Sequence, residues 1–225
     1  CSPTQISFVN TTSDANLFTW DFGDGGVSSS INPQHIYYIP GTYDVTLIAI
    51  NSFGCSDTLI RPDYISIPGT YTNFGISTLS GCRGQSVQFT DSSINAMNWS
   101  WDFGDGTISS VQHPGHSYAD TGSYTVTLIT QDSIGCTSSF TYPVPIIIHP
   151  TPVADAYVTD STGCSDFVTA FINTSTGAST YEWEFGDGDT SMADMPSHTF
   201  LTGGQYYPQL IAISAFGCRD TFQFN

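Results

Sequence analysis

Histidines and carboxylates recur in this chain at matched places. His35, His116 and His198 each follow a Gly-Asp-Gly turn sequence in one of three repeated patterns. A histidine near an aspartate is the usual composition of a general base. An enzyme has little use for the same base three times over, however, and a partly buried imidazole bonded at the Gly-Asp-Gly turn accounts for all three. His113 and His149 have no counterparts and read as surface residues. No G-x-S-x-G elbow supplies a nucleophile, and no glycine-rich loop before a helix cradles a phosphate. The stretch reads as non-catalytic.

The second candidate chemistry is cation binding, since a hard cation takes several oxygen ligands held by loops. Asp91, Ser92, Asp102 and Asp132 form an oxygen-rich set in the second repeat. Asn10, Thr11, Asp21 and Asn51 match it in the first, and Asn173, Thr174, Glu184 and Ser214 in the third. Only the second set carries three carboxylates, so calcium, if it is the ligand, binds best there. The competing reading is that these side chains cap turns through their own backbone.

The third is sulfur. Cys1 and Cys55, Cys82 and Cys136, and Cys164 and Cys218 are each 54 positions apart. Six cysteines allow 15 pairings. Two per repeat favours one bridge inside each, Cys1–Cys55, Cys82–Cys136 and Cys164–Cys218. The alternative is bridging across junctions, Cys55–Cys82 and Cys136–Cys164. No C-x-x-C pair suggests zinc, and disulfides imply an oxidising compartment.

The elements that position these groups come from a threefold repeat. Trp20-Asp21-Phe22-Gly23-Asp24-Gly25 returns as Trp101-Asp102-Phe103-Gly104-Asp105-Gly106 and as Trp183-Glu184-Phe185-Gly186-Asp187-Gly188, at spacings of 81 and 82. Trp and Phe at period two share one face of a strand, and Gly-Asp-Gly reverses the chain. Further strands are expected at 5–9, 41–47, 64–67, 74–78, 86–89, 144–148 and 153–158, from alternation and β-branched or aromatic content. Phe18, Trp99 and Tyr181 precede each motif Trp by two residues, as core or as a sugar platform. Phe53, Ile134 and Phe216 precede each Gly-Cys and pack either on a neighbouring repeat or under their own loop. Pro208 stands where Val45 and Val126 stand elsewhere, so the third repeat is expected to be locally distorted.

The domains expected are 1–67, lacking a first strand, 68–149, and 150–225, lacking a last strand. Short Pro-containing junctions, Ile67-Pro68-Gly69 and His149-Pro150-Thr151-Pro152, would hold them in a stiff rod. The unfinished ends suggest a window from a longer array, or strands donated by neighbouring chains into a filament. The net charge of −17, with three basic residues, argues against nucleic acid and against anionic membrane surfaces. No apolar run reaches the ~20 residues of a membrane helix.

W-D-F-G-D-G followed by P-x-H-x-[YF] and G-x-Y-x-V-x-L resembles the PKD (polycystic kidney disease) domain, over nearly the whole chain. Pro33/His35/Tyr37 and Gly41/Tyr43/Val45/Leu47 carry these motifs in the first repeat. The resemblance implies an all-β chain of three tandem immunoglobulin-like β-sandwiches. Asp120-x-Gly122-x-Tyr124-x-Val126 is similar to their tyrosine corner. It also implies that calcium, where such domains bind it, uses the first Asp of the motif with oxygens from neighbouring loops. A cysteine in the G-C-x-[DS] turn resembles bacterial adhesins and type IX secretion cargo. Asp57-Thr58-Leu59, Asp132-Ser133-Ile134 and Asp160-Ser161-Thr162 resemble an O-glycosylation acceptor of gliding bacteria. The function expected is a non-enzymatic stalk or adhesion segment of a large bacterial protein, extracellular or on the cell surface. Its partners would be neighbouring repeats, a glycan or a surface protein. The alternatives are an accessory polymer-binding module of a secreted hydrolase and a filament subunit.

Overall fold

A computed structural model describes residues 1–164 and 166–225. The described chain is strands, turns and loops, with no helix among the described residues. It falls into two compact units, residues 1–77, 88–114 and 125–143 in one, and 78–87, 115–124 and 144–225 in the other. The second repeat contributes to both.

The first unit holds two four-stranded antiparallel sheets of like order. One runs Val27–Ser28, Leu17–Asp21, Gly41–Ile50, Ser56–Ile67; the other runs Ile108–Ser109, Asn98–Asp102, Thr127–Gln131, Thr137–Thr141. In each, the Trp strand pairs the strand after the tyrosine corner, with Trp20 opposite Leu47 and Trp101 opposite Leu128. Thr4–Ser7 pairs Gln34–Tyr37, and Phe74 to Ile76 pairs Asp91 to Phe89. The second unit repeats the four-stranded order as Thr190–Ser191, Thr180–Glu184, Gln209–Ile213, Arg219–Gln223. It adds a three-stranded sheet, Ala156–Val158, Phe167–Asn173, Ser197–Phe200, and another in which Ser80–Cys82 runs parallel to Ile146–His149.

Period two builds the cores. Trp20, Phe22, Trp101, Phe103, Trp183 and Phe185 are all buried, while Asp21, Asp102 and Glu184 between them face out. Each indole N–H is satisfied by a carbonyl ten residues on, that of Ser30, Val111 or Ala193, as a buried donor requires. Phe8 packs on Trp20 and Phe22, Phe89 on Trp101 and Phe103, and Phe171 on Trp183 and Phe185. The tyrosine corner is present three times: the hydroxyls of Tyr43, Tyr124 and Tyr206 donate to the carbonyls of Ile39, Asp120 and Thr202.

One strand starts well before the sequence expectation places it. The last strand of the first repeat begins at Ser56, not near Tyr64, and runs to Ile67 with a register shift between Tyr43 and Val45 of its partner. Its residues are exposed as far as Tyr64, so no alternation announces it. The third repeat shows the local distortion expected at Pro208, since Gly41–Ile50 has only a five-residue counterpart there, Gln209–Ile213. Pro208 stands immediately before it, where a residue without an N–H stops the ladder.

Candidate functional site

The Gly-Asp-Gly turn holds the histidine of its repeat. His35 Nε2 lies 2.8 Å from Asp24 Oδ2, and His198 Nε2 lies 2.7 Å from Asp187 Oδ2. Each ring is stacked flat on the motif phenylalanine, at 4.2 Å on Phe22 and 4.0 Å on Phe185, and meets Tyr37 or Phe200 edge-on. Burial pushes the Asp24 carboxyl up. The His35 hydrogen bond, the Gly26 N–H and the imidazole's charge outweigh it and hold the carboxyl below its ordinary value. Asp187 is lowered in the same way, through His198 and the Asp189 N–H. With one ring face covered by the motif phenylalanine and a second aromatic edge-on, the pair clasps a turn onto a strand.

Asp187, Asp189 and His198 offer ligand atoms within 4.8 Å of one another, the one such group of three among the described residues. In the first repeat Gly26 stands where Asp189 does, and the same His–Asp clasp forms without a third ligand.

The oxygen-rich sets are employed in turns. Asn51 Oδ1 accepts the amides of Phe53 and Cys55, Asp132 Oδ1 those of Ile134 and Cys136, and Ser214 Oγ those of Phe216 and Cys218. Three different side chains thus cap one tight turn. Asp21 and Asp102 accept the amides of Gly23 and Gly104. Asn10 accepts from Thr12 N, and Asn173 from Ser175 N while donating to Asp194. Asp91 accepts from Ser93 N, Trp99 Nε1 and Gln112 Nε2. Burial raises its carboxyl, but these donors leave it below the ordinary value. Thr174 donates to Asp155, and Glu184 accepts from Gln209. Ser92 donates its amide to the Asn73 carbonyl, and Thr11 is exposed. Asp91, Asp102 and Asp132 are not drawn into one ligand group. Nor do Phe18, Trp99 and Tyr181 make an exposed platform: Phe18 is buried, and the other two are half-buried.

The sulfur pairing corrects the sequence expectation. Cys1 bonds Cys136, and Cys82 bonds Cys218, while Cys55 and Cys164 are free and exposed. Neither the within-repeat bridges nor Cys55–Cys82 and Cys136–Cys164 form. The reason is strand length. Gly41 pairs Ile67 at one end of a ten-residue strand and Ile50 pairs Ser56, beside Cys55, at the other. Gly69, just past Ile67, lies against Ser2 and Cys1. Ten residues at ~3.3 Å put Cys1 and Cys55 roughly 30 Å apart, far beyond the ~7 Å Cα limit of a disulfide. Cys1 and Cys55 thus flank the strands of their repeat at opposite ends.

His149, with no counterpart in the other repeats, does more than a surface residue. It is the register partner of Cys82, lies 3.1 Å from Ser80 Oγ, and carries Phe216 stacked at 3.9 Å. At the equivalent turn positions Phe53 and Ile134 are exposed, and Phe216 itself, though stacked on His149, is 61% exposed.

Comparison with known proteins places this architecture. The PKD domain family model matches residues 3–67, 77–146 and 149–225. A microbial collagenase of Vibrio alginolyticus is 38% identical over 71 residues, 29% of this chain and 9% of that protein. Human polycystin-1 is 25% identical over 214 residues, 88% of this chain and 5% of that protein. The chain thus spans less than a tenth of either relative. Among solved structures, the PKD1 domain of Vibrio anguillarum Epp is 30% identical, over 36% of this chain and 98% of that one, at a TM-score of 0.32. The PKD1 domain of the Vibrio cholerae metalloprotease PrtV is 27% identical, over 36% and 99%, also at 0.32.

Proposed function

The chain belongs to the PKD domain family, in three tandem copies, and we propose that it is a non-catalytic extracellular spacer or adhesion segment of a larger bacterial surface protein. The observation that carries this reading is the interlacing of Cys1–Cys136 with Cys82–Cys218. Each bond ties one repeat to the next, and the loops they close overlap. The shortest covalent path between the chain ends therefore crosses both bonds and only about 60 residues. At ~3.5 Å per residue its taut length is roughly 200 Å, against roughly 800 Å for the reduced chain. A segment so tied keeps a load on a short path even if its sandwiches open, and two disulfides fit an oxidising exterior.

Force–extension measurement on the chain tethered at its ends tests this. The oxidised chain should stop near the short limit, and added reductant should lengthen it about fourfold, from the same path count. Equal limits with and without reductant would reject the load-limiting role.

A second reading, a polymer-binding accessory module of a secreted hydrolase, is favoured by the likeness to a microbial collagenase. Co-sedimentation of the chain with insoluble collagen or chitin tests it. Retention that survives moderate salt supports it, and full recovery in the supernatant rejects it for those polymers.

A further inference from the structure

The two disulfides divide the chain into three spans that join the same two points. One point is the Cys1–Cys136 bond and the other is the Cys82–Cys218 bond. Residues 1–82, 82–136 and 136–218 each run from one to the other. A load that enters at Cys1 and leaves beyond Cys218 therefore meets three connections in parallel, whereas the reduced chain offers its repeats in series.

The outer repeats hang from these points as closed loops. Gly69 lies against Ser2 and Cys1, so the first repeat is entered and left at the first bond. His149 is the register partner of Cys82 and stacks on Phe216, two residues before Cys218, so the third repeat is entered and left at the second bond. Only the second repeat runs between the bonds, as the middle span 82–136 and two straps, 69–82 and 136–149, each thirteen residues long. The straps are strands of that repeat. Phe74 to Ile76 pairs Asp91 to Phe89, Thr137–Thr141 pairs Thr127–Gln131, and Ile146–His149 lies between Gly122–Tyr124 and Ser80–Cys82. The hydroxyls of Thr70 and Thr72 are bonded to that of Thr130, at 2.8 and 2.7 Å. Ala49 and Ala212 stand at the place of Thr130 in the other repeats, so this fastening belongs to the second.

We propose that the interlaced bonds form a mechanical catch. Tension opens the second repeat first, and the two straps stop the opening once the bonds stand ~45 Å apart, thirteen residues at ~3.5 Å each. To pass this stop both straps must lengthen, one by drawing out the first repeat and the other by drawing out the third. The two act in parallel, so either outer repeat holds the load while it stays folded. Beyond the stop, the 82–136 span sets the final limit. The inference rests on the load-bearing reading above, and the two fail separately. That reading stands on the final length with and without reductant, whereas the catch stands on an intermediate stop.

The test is force–extension of the oxidised 225-residue chain, held at its two ends. Two stages are expected, a short opening that stops at ~45 Å of bond separation and a longer one at higher force. Thr130→Ala should lower the force of the first stage alone. Ten Gly/Ser residues can be inserted between Thr78 and Leu79, or between Pro143 and Val144, both outside the strands. Either insertion by itself should leave the stop in place, because the other strap still holds. Both together should move it outward by about 35 Å. With the insertion after Pro143 alone, the 69–82 strap holds by itself, so Asp24→Asn in the first repeat should lower the force at the stop and Asp187→Asn in the third should not. Intact Cys1–Cys136 and Cys82–Cys218 peptides verify that each variant folds. An unbroken run to the final limit would overturn the catch. So would a stop that moves when only one strap is lengthened.

Discussion

His35 Nε2 sits 2.8 Å from Asp24 Oδ2 with its ring flat on Phe22, so one side chain closes the Gly-Asp-Gly turn and completes the aromatic core. His198 and Asp187 do the same on Phe185. In both pairs the carboxyl is held below its ordinary value in the folded chain. The folded state therefore binds fewer protons than the unfolded one in the acid range, and the stability this confers is present above the unfolded carboxylate value. It is lost as pH falls through the folded value. The clasp's contribution to the melting midpoint should therefore fall away in the acid range, as pH drops through the carboxylate values. Asp24→Asn and Asp187→Asn should lower the midpoint at neutral pH and flatten the acid limb. An unchanged acid limb in the double variant would show that the clasp is not responsible.

Gly23 and Gly104 are required by space as well as by φ. Both have φ +83°, and a Cβ added there would come 2.3 Å from the Asp44 carbonyl oxygen or 2.5 Å from that of Thr125. Asp44 sits at the register shift of its strand and Thr125 between two strands, and in both cases the obstructing atom is backbone, not a side chain that could swing aside. Gly25 and Gly106 share the left-handed conformation, with φ +89°, but a Cβ there meets nothing within 4 Å. Gly25→Ala should cost about 1 kcal/mol and Gly23→Ala at least about 2 kcal/mol more, by denaturant titration. Equal costs would mean that the close approach is relieved by local movement.

The cysteine pattern gives a direct chemical prediction. Non-reducing peptide mapping should link Cys1 to Cys136 and Cys82 to Cys218, and alkylation before reduction should mark Cys55 and Cys164 alone. Replacing Cys1 and Cys136 by serine should destabilise the chain by about 4–5 kcal/mol, the entropy released to the unfolded state by opening so long a loop. Recovery of a Cys1–Cys55 peptide would restore the within-repeat pairing and remove the overlapping ties.

The legible parts of this fold are those where side-chain period and burial coincide. Trp20 and Phe22, Trp101 and Phe103, and Trp183 and Phe185 alternate with outward carboxylates, and all six are buried. The Asp120-x-Gly122-x-Tyr124 corner is equally local, and its hydroxyl bond forms as expected. The strand Ser56–Ile67 was hidden because it is an edge: through Tyr64 every side chain is exposed, so the sequence carries no alternation, and Pro62 and the left-handed Asp63 argue against a strand. The disulfides were hidden because a spacing of 54 in every repeat is compatible with bonding within or between repeats. Only the length of the intervening strands decides. The carboxylate sets looked like ligands because a turn cap and a cation site use the same atoms, and composition does not distinguish an oxygen facing an amide from one facing an ion.

Asp132 separates those two uses experimentally. Its Oδ1 caps the turn at Ile134 and Cys136, and it is a buried carboxylate at 7% exposure. Asn51 performs the same cap with an amide oxygen, and Ser214 with a hydroxyl. Capping needs an acceptor, not a charge. Asp132→Asn should therefore stay within about 0.5 kcal/mol of the parent, while Asp132→Ala should cost about 1–3 kcal/mol for the stranded amides. A calcium ligand behaves differently, because removing the charge weakens the ion's hold even where shape is kept. If the carboxylate only caps, millimolar calcium should move the melting midpoints of the parent and Asp132→Asn equally. A calcium-dependent rise in the parent that disappears in Asp132→Asn would make Asp132 a ligand and return the second repeat to the cation-binding reading.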